Sequence, residues 1–174
     1  IDKKKLDNIL KLTDDTNSSY TNMHMFNKDG VITKYSSVED ISEDLWQECF
    51  AAPYEGKWWY AALELAGLDA QFKFMYGLIL FNDKPVGIAP AFLMDVPIAL
   101  VIPPVFLPFF NILGKFFPSL LYQRTFFIGS PCSDEGRVGL VDGVNATEVF
   151  AMINKAMRNQ ADKLGASMRV WKDF

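Results

Sequence analysis

The sequence predicts an α/β (α+β) chain built on a mixed sheet flanked by helices. Three observations carry this. Two apolar runs, FKFMYGLILF and PVGIAPAFLM, flank the polar turn Asn82-Asp83-Lys84 and read as a β-hairpin. The stretch from Asn145 to Gly165 has the apolar period of a helix and stands between the strand-like runs RTFFIG and SMRVWKDF. Parallel neighbours joined by a helical crossover, set beside an antiparallel hairpin, make the sheet mixed.

In chain order, Leu6, Ile9 and Leu10 have helical spacing, which predicts a short helix over 2 to 12, followed by a polar link to about Gly30. VITKY, Val31 to Tyr35, is a short β-leaning run. A well-marked helix then starts at Ser42: its hydroxyl is a suitable N-cap, Glu43 and Asp44 suit the positive first turn, and Ile41 and Trp46 match a hydrophobic staple. It is expected to run to about Ala51, before Pro53. KWWYAALELAG reads as a second helix, with Trp58, Ala61 or Ala62 and Leu65 on one face and Gly67 just past its end. The hairpin runs are apolar on both faces, which suits strands covered from both sides. In the last helix Asn145 caps, Glu148 stands three residues on, Val149, Phe150, Ile153, Met157, Ala161 and Leu164 form the apolar face, and Gly165 ends it.

Between the hairpin and RTFFIG lies an apolar insertion, 96–121, in which VPIALVIPPVFLPFFNILG carries no charge. A helix of that length nearly crosses a hydrocarbon core of roughly 30 Å. Pro103-Pro104 and Pro108 argue against one continuous helix, because each removes a backbone donor. The expectation is therefore a helix broken near 103 and 108 whose side chains are buried or line a pocket, with an interfacial membrane-docking or acyl-binding element as the competing reading and a true transmembrane helix as the least favoured.

The formal charge of −4 and pI near 5.0 leave no basic field for nucleic-acid phosphates, so nucleic acid is not expected as the main partner. The two cysteines, Cys49 and Cys132, read as free thiols in a reducing, cytoplasmic setting. His24 is the single histidine and sits in the polar stretch TNSSYTNMHMFNKDG, so a histidine-based triad or a zinc site lacks its parts. IDKKKLDNIL has no apolar signal core, and the start at Ile1 with a stop at Phe174 directly after an apparent strand suggests a piece of a longer protein.

GSPCSDEG, Gly129 to Gly136, admits four readings: a cysteine nucleophile, a metal site, an anion-cradling loop or a turn. Cys132 has acids and no cation beside it, which disfavours a thiolate. One thiol and two adjacent acids are a poor metal set, and the same acids discourage phosphate. What remains is a polar loop in which Ser130 and Ser133 bond backbone while Asp134 and Glu135 either face a cleft where an amine is recognised or simply make the turn.

The element order, with PVGIAPAFLM, LYQRTFFIGSPCSDEG and the terminal RVWKDF, resembles the GNAT-type acyltransferase fold and, more closely, its FemAB-like, peptidoglycan-biosynthesis-type branch. The resemblance covers roughly 36–174, with 1–35 as an N-terminal extension and first strand. It implies the first of two tandem GNAT-like domains, transferring an acyl or aminoacyl group to a small-molecule or lipid-linked amine, with a cell-wall precursor as one such acceptor. Acyl transfer needs the amine deprotonated, and Asp134, Glu135 and Asp173 are the candidate bases, directly or through water, each with a solvated loop charge or cap as its competing reading. Ser130, Ser133, Arg124 and Lys172 are the candidate substrate-binding groups. No cofactor is expected within this chain: the donor, acyl-CoA or aminoacyl-tRNA, would be held through a second domain. The family's basic or glutamine residue followed by Gly-x-Gly/Ala is absent, and EGRVGLVDG is only a weak echo of it. Two alternatives stand beside this one: a non-catalytic domain of the same fold that docks a membrane or partner through 96–121, and an unrelated α/β small-molecule enzyme. The predicted location is cytoplasmic, with peripheral membrane contact through the insertion.

Without a glycine-rich loop to present backbone donors at a helix N-terminus, this chain alone is expected to bind CoA weakly or not at all in calorimetric titration. A sub-micromolar Kd would restore a complete donor site to it.

Overall fold

The computed structural model describes residues 22–27, 37–51, 55–82, 84–100, 102–133 and 136–172. The helix expected over 2 to 12 and the VITKY run lie outside the described residues. Strand β1 (Asn22–Asn27) is followed by helices α1 (Glu43–Cys49) and α2 (Lys57–Leu65), the hairpin of β2 (Lys73–Phe81) and β3 (Lys84–Pro97), and helix α3 (Leu107–Phe116) within the insertion. Strand β4 (Tyr122–Ile128), the short β5 (Gly139–Leu140), helix α4 (Ala146–Lys163) and β6 (Met168–Trp171) complete the order.

Strand β3 is the axis of one mixed sheet. One edge pairs antiparallel with β2, from Lys73 opposite Leu93 to Phe81 opposite Lys84. The other edge is shared: Ala91 to Pro97 pair antiparallel with β4, and Gly87 and Ile88 with β5. Strand β1 adds antiparallel to β2, and β6 adds parallel to β4, giving the order β1-β2-β3-β4-β6. The two-residue alternation of strand side chains sorts two cores. Phe74, Tyr76, Ile88 and Phe92 pack with Trp46, Phe50, Tyr60 and Leu63 of α1, its end and α2. Met75, Ile79, Ala91, Phe126 and Ile128 pack on the other face with Val149, Ile153, Met157 and Ala161 of α4.

The helix signals act as read. The Ser42 hydroxyl accepts from the Leu45 amide, and Ile41 and Trp46 are buried in one cluster. Helix α1 stops at Cys49, short of Ala51, and the Phe50 ring turns into the core. Asn145 accepts from the Thr147 amide and its side-chain amide donates to Glu148, while Gly165 takes φ +66 past the end of α4.

Three expectations are corrected. The polar stretch around His24 contains a strand, because an edge strand needs backbone partners and tolerates polar side chains. Helix α2 buries Tyr60 and Leu63 and leaves Trp58 and Leu65 exposed, Leu65 at 87%. Its roll is set by the aromatic cluster, with Tyr60 centred 5.3 Å from Trp46 and 5.8 Å from Tyr76, and by Lys57, bonded to Glu39 at 2.8 Å, and Glu64, which accepts from Ser37 and Val38. Within the insertion, Pro103 precedes the 3₁₀ turn Pro104–Phe106 as a break, but Pro108 sits in the first turn of α3, where its missing N–H had no helical partner to lose.

The insertion also leaves the expected burial unmet. Helix α3 packs on the 3₁₀ turn Pro118–Leu121 and on Pro104–Phe106, with Gly114 closed against Leu121, while Val105, Phe109, Ile112 and Phe116 stand exposed. Among the described residues no helix is long and apolar enough to cross a membrane.

A methyl group at Gly139 would meet the Phe50 ring and lie 2.7 Å from Cys49 Cβ, since β5 runs close under the end of α1. Gly139→Ala is expected to lower stability by about 1–3 kcal/mol, read as a fall in the urea midpoint; an unchanged midpoint would show that β5 moves off α1 without cost.

Candidate functional site at the end of the parallel strand pair

Strands β4 and β6 are the one parallel pair among the described residues, and ligands of such sheets gather beyond the carboxyl ends of parallel strands. Beyond the last pair, Ile128 and Trp171, the Lys172 amide donates to the Ile128 carbonyl at 3.0 Å and the Gly129 amide to the Pro90 carbonyl at 2.8 Å. Strand β4 therefore stays tied to both neighbours up to Gly129. There φ reaches +121, which a side chain rarely tolerates, and a Cβ would stand 3.3 Å from the Lys172 carbonyl oxygen. The chain leaves the sheet at this point and rejoins β3 at β5.

The loop that follows is clamped from two sides. Ser130, 2% exposed, accepts a 3.1 Å hydrogen bond from Trp59 Nε1 on α2. Ser133, also buried, donates from its hydroxyl to Glu55 Oε1 at 2.8 Å, and its carbonyl accepts from Lys172 Nζ at 2.7 Å. A carboxylate from the start of α2 and an ammonium from the end of β6 are thus joined through one serine. Both outer partners of Ser133 are charged groups, and hydrogen bonds to charged groups are the stronger kind.

Of the sequence-predicted site residues, Ser130, Ser133 and Lys172 come together. Asp134, Glu135 and Asp173 lie outside the described residues. Arg124 lies near the opposite end of β4, forked onto Asp95 at 2.9 and 3.2 Å. That pair borders an open cleft of about 540 Å³ which Asp69, Gln71, Lys73 and Tyr122 also line. The Arg124 hydrogen bond holds the Asp95 carboxyl below its ordinary range, so the pair supports the fold above that range and loses its effect as acid protonates Asp95.

Glu55 and Trp59 were missed by sequence reasoning. Glu55 precedes the Gly56 N-cap of α2 and lies 78 residues before Ser133, and Trp59 lies 71 residues before Ser130. No local spacing relates such distant partners. Burial, with the Glu55 charge second, pushes the pKa of the Tyr60 hydroxyl up. On the same core face the Tyr76 hydroxyl has no hydrogen bond of normal geometry, although the Glu64 carboxylate is close enough to add to the upward shift that burial causes.

Among the described residues no group of three His, Cys, Asp or Glu side chains is placed to hold a metal. Both cysteines are free, Cys132 exposed in the loop and Cys49 half-buried, with burial and then Glu48 pushing the Cys49 thiol up to about 12. Comparison with protein-family models, curated proteins and solved structures finds no match to the chain. The fold and this clamp therefore define the molecule as a mixed α/β domain with a polar loop at the end of its parallel pair.

At pH 8 a thiol with a pKa of about 12 is a thiolate in about one molecule in ten thousand. Iodoacetamide at that pH is expected to label Cys132 and leave Cys49 unlabelled until urea unfolds the chain, as read by peptide mass spectrometry; equal labelling of both in the native state would contradict the burial of Cys49.

Proposed function

We propose that the chain is a domain of an N-acyltransferase of the GNAT/FemAB-like kind, passing an acyl or aminoacyl group to an amine acceptor. The observation that carries the reading is the strand order β1-β2-β3-β4-β6, antiparallel up to β4 and closed by a parallel strand across a helix, with charged groups gathered at the carboxyl end of that pair. In chain order the described elements, apart from α3 and β5, run strand, two helices, hairpin, strand, helix and strand, which supports the resemblance.

In this reading the acceptor amine approaches the loop Gly129 to Gly136 as an ammonium drawn by carboxylates, Glu55 beside Ser133 and the acids Asp134 and Glu135 further along. One proton passes to a carboxylate, the nitrogen forms a bond to the donor's carbonyl carbon, and the bond from that carbon to the donor's sulfur or oxygen breaks, the leaving group taking up the nitrogen's second proton and departing as a thiol or hydroxyl. The Lys172 ammonium, held at the loop by the Ser133 carbonyl, supplies positive charge where negative charge develops on the carbonyl oxygen. Ser130 and Ser133, both buried, act as positioning residues that hold the loop to Trp59 and Glu55. The donor, acyl-CoA or aminoacyl-tRNA, contributes the activated carbonyl.

The test is amide formation by the full-length protein, followed by mass spectrometry with acyl-CoA or aminoacyl-tRNA donors and a panel of amines. Glu55→Gln and Lys172→Met are each expected to lower kcat/KM by about tenfold or more, with melting temperatures showing intact folding, and Cys132→Ala is expected to leave it unchanged. Absence of amide with every donor, or unaltered turnover in both charge variants, would remove the reading.

A further inference from the structure

The exposed side chains of the insertion form a pattern. On α3, Phe109, Ile112 and Phe116 fall within one narrow stripe at helical spacing, continued by Val105 from the preceding turn, and all four are exposed, Phe116 at 75% and Phe109 at 63%. Pro108, Asn111 and Lys115 form the neighbouring stripe, also exposed. The third side of the helix carries Gly114, closed against Leu121. The insertion thus packs on itself through one side, shows water a second, apolar side and keeps its polar groups beside it.

Charge decides what covers the apolar stripe. From Val96 to Ser133 there is no aspartate or glutamate, the longest such stretch in a chain of net charge −4, and Lys115 is the only charge between Asp95 and Arg124. A second copy seated by two-fold symmetry would present the same acid-free patch to Lys115 and offer it no anion. An anionic lipid surface offers both a counter-charge for Lys115 and an apolar layer for Phe109, Ile112 and Phe116. The root of the insertion agrees with that depth: Pro97 pairs with Tyr122, and charged groups, Lys73 and the Asp95–Arg124 pair, return only there. At about 1.5 Å per residue, α3 is far too short to span a bilayer and suits an in-plane position.

We propose that the insertion between Pro97 and Tyr122 docks the protein on anionic membranes, with α3 lying in the interface, Val105, Phe109, Ile112 and Phe116 in the acyl boundary and Lys115 among the headgroups. The proposal does not rest on the acyl-transfer reading, and its test reads no activity.

The experiment is flotation of the full-length protein with vesicles of phosphatidylcholine alone or mixed with phosphatidylglycerol. Recovery is expected with the mixed vesicles and is expected to fall with added salt. The double variant Phe109→Asp/Phe116→Asp is expected to bind about tenfold more weakly or worse, Lys115→Glu to lose preference for the anionic vesicles, and Leu65→Asp, at an exposed apolar residue on α2, to float as the unaltered protein does. These positions are exposed, and circular dichroism checks that the variants fold. Failure to float with either vesicle, unchanged recovery of the double variant, or a dimer seen by light scattering that the double variant abolishes while vesicle recovery stays the same would each overturn it, the last in favour of a second copy.

Discussion

The burial of both faces of β3 is the constraint from which the other placements follow. Its burial runs almost unbroken from Gly87 to Leu93, so apolar chain is required above and below it. Trp46, Phe50 and Tyr60 meet it on one side and Ile153 and Met157 complete the core on the other. No single element could satisfy both. The two helical layers are thus consequences of one strand that cannot face water.

The same strand prepares the loop at the end of the parallel pair. Pro90 sits inside it, although a proline has no amide to give a sheet ladder and is normally excluded from central strands. Here the outer edge of β3 changes partner, β5 pairing up to Ile88 and β4 from Ala91 onward. The amide and carbonyl of one strand residue point to the same edge, and the Pro90 carbonyl accepts from Gly129 on this edge. The missing donor therefore falls in the interval between the β5 and β4 pairings, beside Gly129. That interval is where Gly129 turns out of the sheet and the clamp of Trp59, Glu55 and Lys172 begins.

What could be read from the sequence is what local chemistry encodes. The hairpin, the Ser42 and Asn145 caps, the glycines at 67 and 165 and the apolar stripe of α4 are each written within a few neighbouring residues, and each appears in the fold. Strand β1 was hidden because pairing with β2 uses backbone that any sequence carries. The roll of α2 was misjudged because Trp58 and Tyr60 are both large aromatics, and only contact with Trp46 and Tyr76 tells which is inside. At the site, Ser130, Ser133 and Lys172 were legible from the strand ends that carry them, whereas Arg124, on the same strand as Ser130's approach, is engaged with Asp95 at the far end. Glu55 and Trp59 carry no local signature at all, since their roles exist only after α2 packs beside the loop.

The sheet's pairing pattern also orders the entropy of assembly. Strands β2 and β3 are joined by a turn so short that Phe81 pairs with Lys84, and closing it costs little chain freedom. Joining β4 requires the whole insertion to close, β6 waits for α4 to cross, and β1 must find β2 across both α1 and α2. Loop closure rises by roughly 0.6 kcal/mol for each doubling of length, and long-range pairings are the slow ones. The hairpin is accordingly the cheapest nucleus this topology offers, and the edge strands that frame the sheet are the most expensive to recruit.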